Sequence, residues 1–193
     1  MQGMRGLGRG VFAIGCALAI SACAAPYEMI RAAQPNPLLG ARTFSLEPLH
    51  FDAMIVGEMP VAQYLAAKKP EQQQSFLTDE QAMNGALAAG VIQRAGRLEI
   101  VLGPPPNAAV FIIRPIVVHY EPGYYGYVAS RPTEGELRVQ VLTPDGRLVD
   151  ELAMRSTIYA SLANPSSGDR MREAGDNLGW RISDYLHHRT QHP

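Results

Sequence analysis

The chain has 193 residues, a formal net charge of −1 from 17 Lys+Arg and 18 Asp+Glu, and 47% hydrophobic residues. That length suits one domain with a small extension, and that apolar content is enough to build a core. A near-neutral chain lacks both the basic footprint of a nucleic-acid binder and the polybasic patch that gathers anionic lipid. Nucleic acid is therefore excluded as a partner.

Arg5 and Arg9 give the N-terminal segment a positive start, and an uncharged stretch over residues 10–19 follows. It is shorter than the ~20 apolar residues a spanning helix needs. The run Ile20-Ser21-Ala22-Cys23 closes the segment. Positive start, short apolar core and small residues are the layout of a secretory signal. The closing run resembles the lipobox of bacterial lipoproteins, a branched aliphatic and two small residues before Cys. The resemblance implies that the Cys23 thiol is alkylated by a diacylglyceryl group and that a membrane peptidase cuts just before it, so residues 1–22 are a signal peptide. Cys16 competes poorly, because Ile14 crowds the small position and cleavage there leaves an apolar core below the usual ~7–15 residues. With Cys16 discarded and Cys23 acylated, the mature chain has no disulfide and no thiol for catalysis. Losing Arg5 and Arg9 takes its net charge to about −3. No later apolar run reaches ~18 residues, so the acyl chains are the expected anchor, and two or more hold a protein stably. Ala24, in place of an acidic residue, favours the outer membrane by analogy with sorting in enteric bacteria, with the domain facing the periplasm.

Residues 23–42 hold Pro26, Pro35 and Pro37 without periodicity and read as a flexible tether. About 18 such residues reach at most ~60 Å. The single domain is expected over residues 43–193. It opens with a strand over 43–51, apolar at Phe44, Leu46, Leu49 and Phe51 and broken at Pro48. Residues 60–69 suggest a short helix, with Pro60 in its first turn and Pro70 ending it. Thr78-Asp79-Glu80-Gln81 matches a capping box, placing a helix start at Thr78. Met83, Leu87 and Val91 then recur every four residues, and Gly96 terminates the helix. Gly85 and Gly90 weaken it, so either core packing holds it, the preferred reading, or the glycines allow close approach to a sheet.

Residues 98–102 form the next strand, stopped by Gly103-Pro104-Pro105-Pro106. Residues 109–120 are strongly β-forming, although Pro115 cannot donate to a ladder and marks an edge or a bulge. Leu137, Val139 and Val141 alternate with Arg138 and Gln140, and Pro144-Asp145-Gly146 turns the chain into a return strand over 148–159. The inward set of this hairpin is Leu137, Val139 and Val141, opposed by Leu148, Leu152 or Met154. After Asn164-Pro165-Ser166-Ser167, the stripe Met171, Ala174, Leu178, Ile182 and Tyr185 predicts a last helix.

This order predicts an α/β (α+β) fold, a mixed, mainly antiparallel sheet of about four to five strands with two long helices packed on it. The run from Gly135 to Val141, the Pro-Asp-Gly turn and the C-terminal helix, following a lipobox, resemble bacterial outer-membrane lipoproteins with a small periplasmic α/β domain. That domain has the anticodon-binding-like architecture of the curli-secretion lipoprotein and of lipoprotein activators of penicillin-binding proteins, and the resemblance covers residues 43 to about 190. It implies a part in envelope assembly or regulation without catalysis, and it transfers no site residue.

Catalytic signatures are missing: there is no Gly-x-Ser-x-Gly elbow, Walker loop, dinucleotide glycine motif or His-Glu-x-x-His. No cofactor is implied. Asp184, His187, His188 and His192 gather near the C-terminus, and Asp184 and His188 are one helical turn apart, as metal ligands can be. Neighbouring histidines point to different faces, however, and a terminus frays, so no metal is expected. The segment from Tyr120 to Tyr127 carries four of the eight tyrosines, Tyr120, Tyr124, Tyr125 and Tyr127, on a Pro/Gly loop. Rigid amphipathic rings there suit an envelope protein or the glycan of peptidoglycan, with Tyr124 and Tyr125 the most exposed of the four. Trp180 lies off the helical stripe and is a lesser contact candidate. Two other readings stay open. One is a cell-wall hydrolase using Glu121 with His119, and the other is a subunit of a secretion or pilus complex.

Overall fold

The computed structural model describes residues 26–107, 109–126, 129–161 and 164–193. The expected signal segment, Cys23 and Tyr127 lie outside the described residues. In chain order the elements are β1 (Glu28–Arg31), β2 (Thr43–Leu46), β3 (Ile55–Val56), β4 (Met59–Pro60), α1 (Val61–Ala66) and α2 (Pro70–Arg94). There follow β5 (Glu99–Leu102), β6 (Phe111–Glu121), β7 (Thr133–Leu142), β8 (Leu148–Ile158) and α3 (Ser167–Gln191).

All the strands join one mixed sheet of eight, ordered β1-β8-β7-β6-β2-β5, with β3 on β6 and β4 on β3. The mixed α/β class is as the sequence predicts, but the expected four or five mainly antiparallel strands understate the sheet. β2 runs parallel to both β5 and β6, and β3 runs parallel to β6. β3 and β4 are two residues each and β1 only four, too short to leave a periodic signal.

The prolines explain an irregularity at the middle of the sheet. Pro115 sits in β6 with strands on both sides, not at an edge. Where its missing N–H would have met the β2 side, the partner chain is itself broken at Pro48. Leu46 pairs Ile113 and His50 pairs Ile116, so residues 47–49 oppose only 114–115. The partner bulges where the strand cannot donate.

The helix reading needs correction. α1 begins after Pro60 as expected, but Pro70 starts α2 instead of ending α1. Its missing N–H costs nothing in a first turn. Thr78 is eight residues inside the helix, and its hydroxyl donates back to the Gln74 carbonyl at 2.9 Å rather than capping. The polar first turns, Glu71 to Gln74, face solvent and carry no apolar stripe, which is why the start escapes a periodicity search.

Both long helices cover one face of the sheet. Met83, Leu87 and Val91 of α2 and Met171, Ala174, Leu178, Ile182 and Tyr185 of α3 are at most 1% exposed and join Phe44, Ile113, Val117, Leu137 and Val139 in one core. The other face carries ion pairs such as Arg114–Glu47 at 2.6 Å and Arg155–Glu136 at 2.9 Å. The helices meet backbone to backbone. A Cβ on Gly175 would come to 2.5 Å from the Met83 carbonyl oxygen, and one on Gly90 to 2.6 Å from that of Asp176. A Cβ on Gly179 would collide with the Leu87 carbonyl. Gly90 thus serves close packing against α3 and not approach to the sheet, while Gly85 faces open space.

The hairpin register places Leu137 opposite Met154, Val139 opposite Leu152, and Val141 opposite Asp150. Leu148 instead pairs Leu142. A fully buried aspartate therefore occupies a core-facing position of β8. It accepts from Tyr185 Oη at 2.7 Å, Arg189 Nε at 2.7 Å and the Ala33 amide at 2.9 Å. Burial and this carboxylate push the Tyr185 hydroxyl up, while the hydrogen bond to Asp150 holds the Arg189 guanidinium above its usual range despite burial.

The same cluster overturns the expected tether. Over residues 26–42, β1 adds to the sheet beside β8, Leu38 is fully buried and Tyr27 meets Tyr185 edge-on at 5.6 Å. The Asn36 amide donates to the carbonyls of Arg189 and His192, each at 2.7 Å. Prolines without periodicity mark irregular chain, not free chain.

Two comparisons check this packing. Val139→Ala should lose about 1–3 kcal/mol in denaturant unfolding by leaving a cavity, whereas Arg138→Ala, whose half-exposed side chain pairs Glu151 at 3.6 Å, should lose no more than about 1 kcal/mol. Gly179→Ala should cost about 1–3 kcal/mol or more by overpacking the helix contact, while Gly85→Ala should leave stability unchanged or raise it by up to about 1 kcal/mol.

Candidate functional site

The tyrosine segment sits at the end of the sheet where β6 stops and β7 starts. Its first ring is structural. Tyr120 is 2% exposed, lies in β6 on the core side and packs on Phe76 at 6.2 Å. Burial pushes its hydroxyl up. Tyr120 is thus removed from the expected contact set, because a bulge between Val117 and His119 turns it inward.

Beyond it the loop is pinned. Gly123 has φ +62°, and a Cβ there would run into the Arg131 and Pro132 carbonyls, so only glycine fits. Tyr124 and Arg131 exchange backbone hydrogen bonds at 3.1 and 2.9 Å, closing the loop base. Under it lies Arg170 of α3, 1% exposed. Its Nε donates to Thr133 Oγ1 at 2.7 Å, its Nη2 to the Pro122 carbonyl at 3.2 Å, and its Nη1 to the Pro165 carbonyl at 2.7 Å. Thr133 Oγ1 in turn donates to the Pro122 carbonyl at 2.6 Å. One buried guanidinium, satisfied by neutral oxygens, joins the loop after β6 to the loop before α3. The sequence signal available was an arginine next to the apolar stripe residue Met171.

Tyr124 is 54% and Tyr125 42% exposed. Both rings therefore stand outward from a fixed base, as expected, and Tyr127 is outside the described residues. Two further exposed apolar side chains share this end. Tyr159, 75% exposed, follows β8, and Met59, 44% exposed, starts β4 beside the β6 end. Neither was anticipated, because a lone residue at a strand end leaves no pattern.

The other candidates are dispersed. His119 Nε2 donates to the Gly57 carbonyl at 3.1 Å and lines a hollow of about 110 Å³ with Glu136 and Arg155. Glu121 pairs with Arg131 at 3.5 Å and lines a different hollow, of about 450 Å³, with Met59 and Tyr64. The two do not converge on one cleft. A larger hollow, of about 710 Å³, opens at the opposite end of the sheet between Pro105, Phe111 and Arg147. His187 Nε2 donates to the Arg94 carbonyl at 2.9 Å, and the His188 and His192 rings meet at 4.9 Å. Among the described residues no group of three or more His, Cys, Asp or Glu could hold a metal, so Asp184, His187 and His188 are not brought together as ligands. Trp180 is half-buried beneath the Arg94 guanidinium, 4.4 Å from its ring.

No family model matches the chain, and no curated protein matches it either. Among solved structures it is similar to a PelC dodecamer from Paraburkholderia phytofirmans, at 10% identity over 79% of this chain and 97% of that one, TM-score 0.38. It is also similar to a hypothetical protein from Chlamydia trachomatis, at 8% identity over 76% and 98%, TM-score 0.43. A third is a neuraminyllactose-binding hemagglutinin homolog from Helicobacter pylori, at 10% identity over 81% and 87%, TM-score 0.41.

Replacing both Tyr124 and Tyr125 by Ala should change stability by no more than about 0.5 kcal/mol, whereas Tyr120→Ala should cost about 3–5 kcal/mol. Chemical unfolding of the two variants decides it. A pH effect follows from α2. Burial, with the Asp52 carboxylate adding repulsion, pushes Glu80 up to about 7 from its ordinary 4.5. The folded state then holds a proton that the unfolded chain has released, so this contribution is complete below pH 4.5 and is lost as pH rises to about 7. Glu80→Gln should accordingly gain stability over the parent at about pH 8 and lose that advantage at about pH 4.

Proposed function

We propose that this chain is a lipid-anchored module of the bacterial envelope, held in the outer membrane through acyl chains on Cys23. Its periplasmic domain binds or assembles rather than catalyses. The observation that carries the binding role is the loop after β6. Two outward tyrosines stand on a base fixed by Arg170 and Gly123, so their contact surface is formed before any partner arrives. Tyrosine suits such a surface, because it loses little rotamer entropy and brings a hydroxyl at its rim. The dispersal of His119 and Glu121 into separate hollows removes support from the hydrolase alternative.

Anchoring rests on Ile20-Ser21-Ala22-Cys23. Among the described residues no helix is long and apolar enough to cross a membrane. Two long helices on one face of a mixed sheet support the anticodon-binding-like architecture expected from the element order, with β1, β3 and β4 as additions. Expression of Cys23→Ser in a Gram-negative host is the test. The parent should incorporate labelled fatty acid and fractionate with the outer membrane, and the variant should do neither. A variant that still labels and sediments as the parent does would overturn the anchor.

A further inference from the structure

The exit of the chain and the exposed tyrosines lie at the same end of the sheet. β1 is antiparallel to β8, with Glu28 opposite Ala153, so the chain traced back from Glu28 heads toward the C-terminal end of β8. At Pro26 it is level with Arg155, since Arg181 Nη1 donates to the carbonyls of both residues. Tyr159, one residue past the end of β8, is about 13 Å further along at ~3.3 Å per residue. The loop bearing Tyr124 and Tyr125 caps the same end, because Thr133 at its base pairs Ile158. Only Ala24 and Ala25 separate Cys23 from Pro26, a span of at most about 11 Å.

Resting on the lipid anchor at Cys23, the geometry points to the phospholipid headgroup layer as the surface on which Tyr124, Tyr125 and Tyr159 sit. The domain stands with its long strands rising from the bilayer. An acylated Cys23 has no slack to place this end elsewhere, as its full reach ends level with the base of the tyrosine loop. Tyrosine, like tryptophan, favours this layer, with its ring among the upper acyl carbons and its hydroxyl among headgroups. Charge is not the attraction. Among the cations at this end, Arg131, Arg155 and Arg172 are paired with Glu121 at 3.5 Å, Glu136 at 2.9 Å and Asp169 at 3.0 Å, and Lys68 lies over the Tyr64 ring at 4.5 Å. The rings need not supply affinity, because the acyl chains do, and a tethered contact has a high effective concentration. Their part is orientation. The opposite end, with the Asp145 turn and the 710 Å³ hollow, is then presented to the periplasm at the far side of strands of 11 residues.

The mature chain's lack of a second thiol makes the test direct. Full-length acylated protein carrying Tyr125→Cys, Tyr159→Cys or Asp145→Cys is spin-labelled at the new thiol and reconstituted into vesicles of phosphatidylethanolamine and phosphatidylglycerol. Labels at 125 and 159 should be several-fold less accessible to a water-soluble relaxing agent than the label at 145, and more accessible to oxygen. Two positions on separate loops guard against one variant failing to fold. Protein that does not float with the vesicles overturns the anchor and this inference together. Protein that floats with all three labels equally exposed to water overturns this inference alone. Labels shielded only once envelope proteins are added would assign this end to a protein partner and overturn it as well.

Discussion

Backbone contact between the two 25-residue helices is the constraint from which the rest of the domain follows. Gly90, Gly175 and Gly179 remove the side chains that would otherwise hold α2 and α3 apart. At ordinary helix separations of about 8–10 Å the pair would cover a wider strip. Drawn close, both apolar stripes converge on β6, β7 and β2, and one core serves every element. The glycines lower intrinsic helix stability, so the pair is held by packing and not by propensity. Each helix then fixes something else. α2 positions the chain leading into β5, and α3 delivers Arg170 to one end of the sheet and Arg189 toward the other.

Those two arginines solve opposite problems of burial. Arg189 is matched by a carboxylate, Asp150, whose remaining oxygen capacity is filled by Tyr185 and the Ala33 amide. Arg170 has no acid among its hydrogen-bond partners and relies on a hydroxyl and carbonyls that would themselves be orphaned inside the protein. Removing one member of such an arrangement leaves the others unsatisfied, which is why buried polar groups of this kind fix geometry more than they add net stability. Here the geometry fixed is that of the irregular chain, residues 33–36 at one end and residues 122–124 with 131–132 at the other.

Regular, amphipathic elements were legible in the sequence. The alternation at Leu137, Val139 and Val141, the Pro-Asp-Gly turn and the stripe from Met171 to Tyr185 each put many side chains under one periodic rule. Pairing over long distances was not. Nothing local in Glu28 to Arg31 announces a strand, since its hydrogen bonds are supplied by β8, and nothing in Thr43 to Leu46 says that its neighbours run parallel. Thr78 misled because a capping box is a local pattern that a longer helix can absorb. Asp150 was detectable in principle, as an acid in the inward phase of a strand with Leu152 and Met154. Tyr120 was grouped with the exposed tyrosines because sequence spacing does not register the bulge that turns it inward.

The segment before β2 has a consequence for the order of events in folding. Its amide at Ala33 bonds to a side chain 117 positions later, and Asn36 bonds to a carbonyl 153 positions later. A chain made from its N-terminus therefore presents this segment first and completes it last, after α3 has arrived. Closing loops of that length is entropically costly and slow. Until it happens, residues 26–42 are slack between whatever precedes Pro26 and the rest of the domain. Once it happens, the slack is gone. The distance between Pro26 and the rest of the domain is in this way a readout of whether folding has finished.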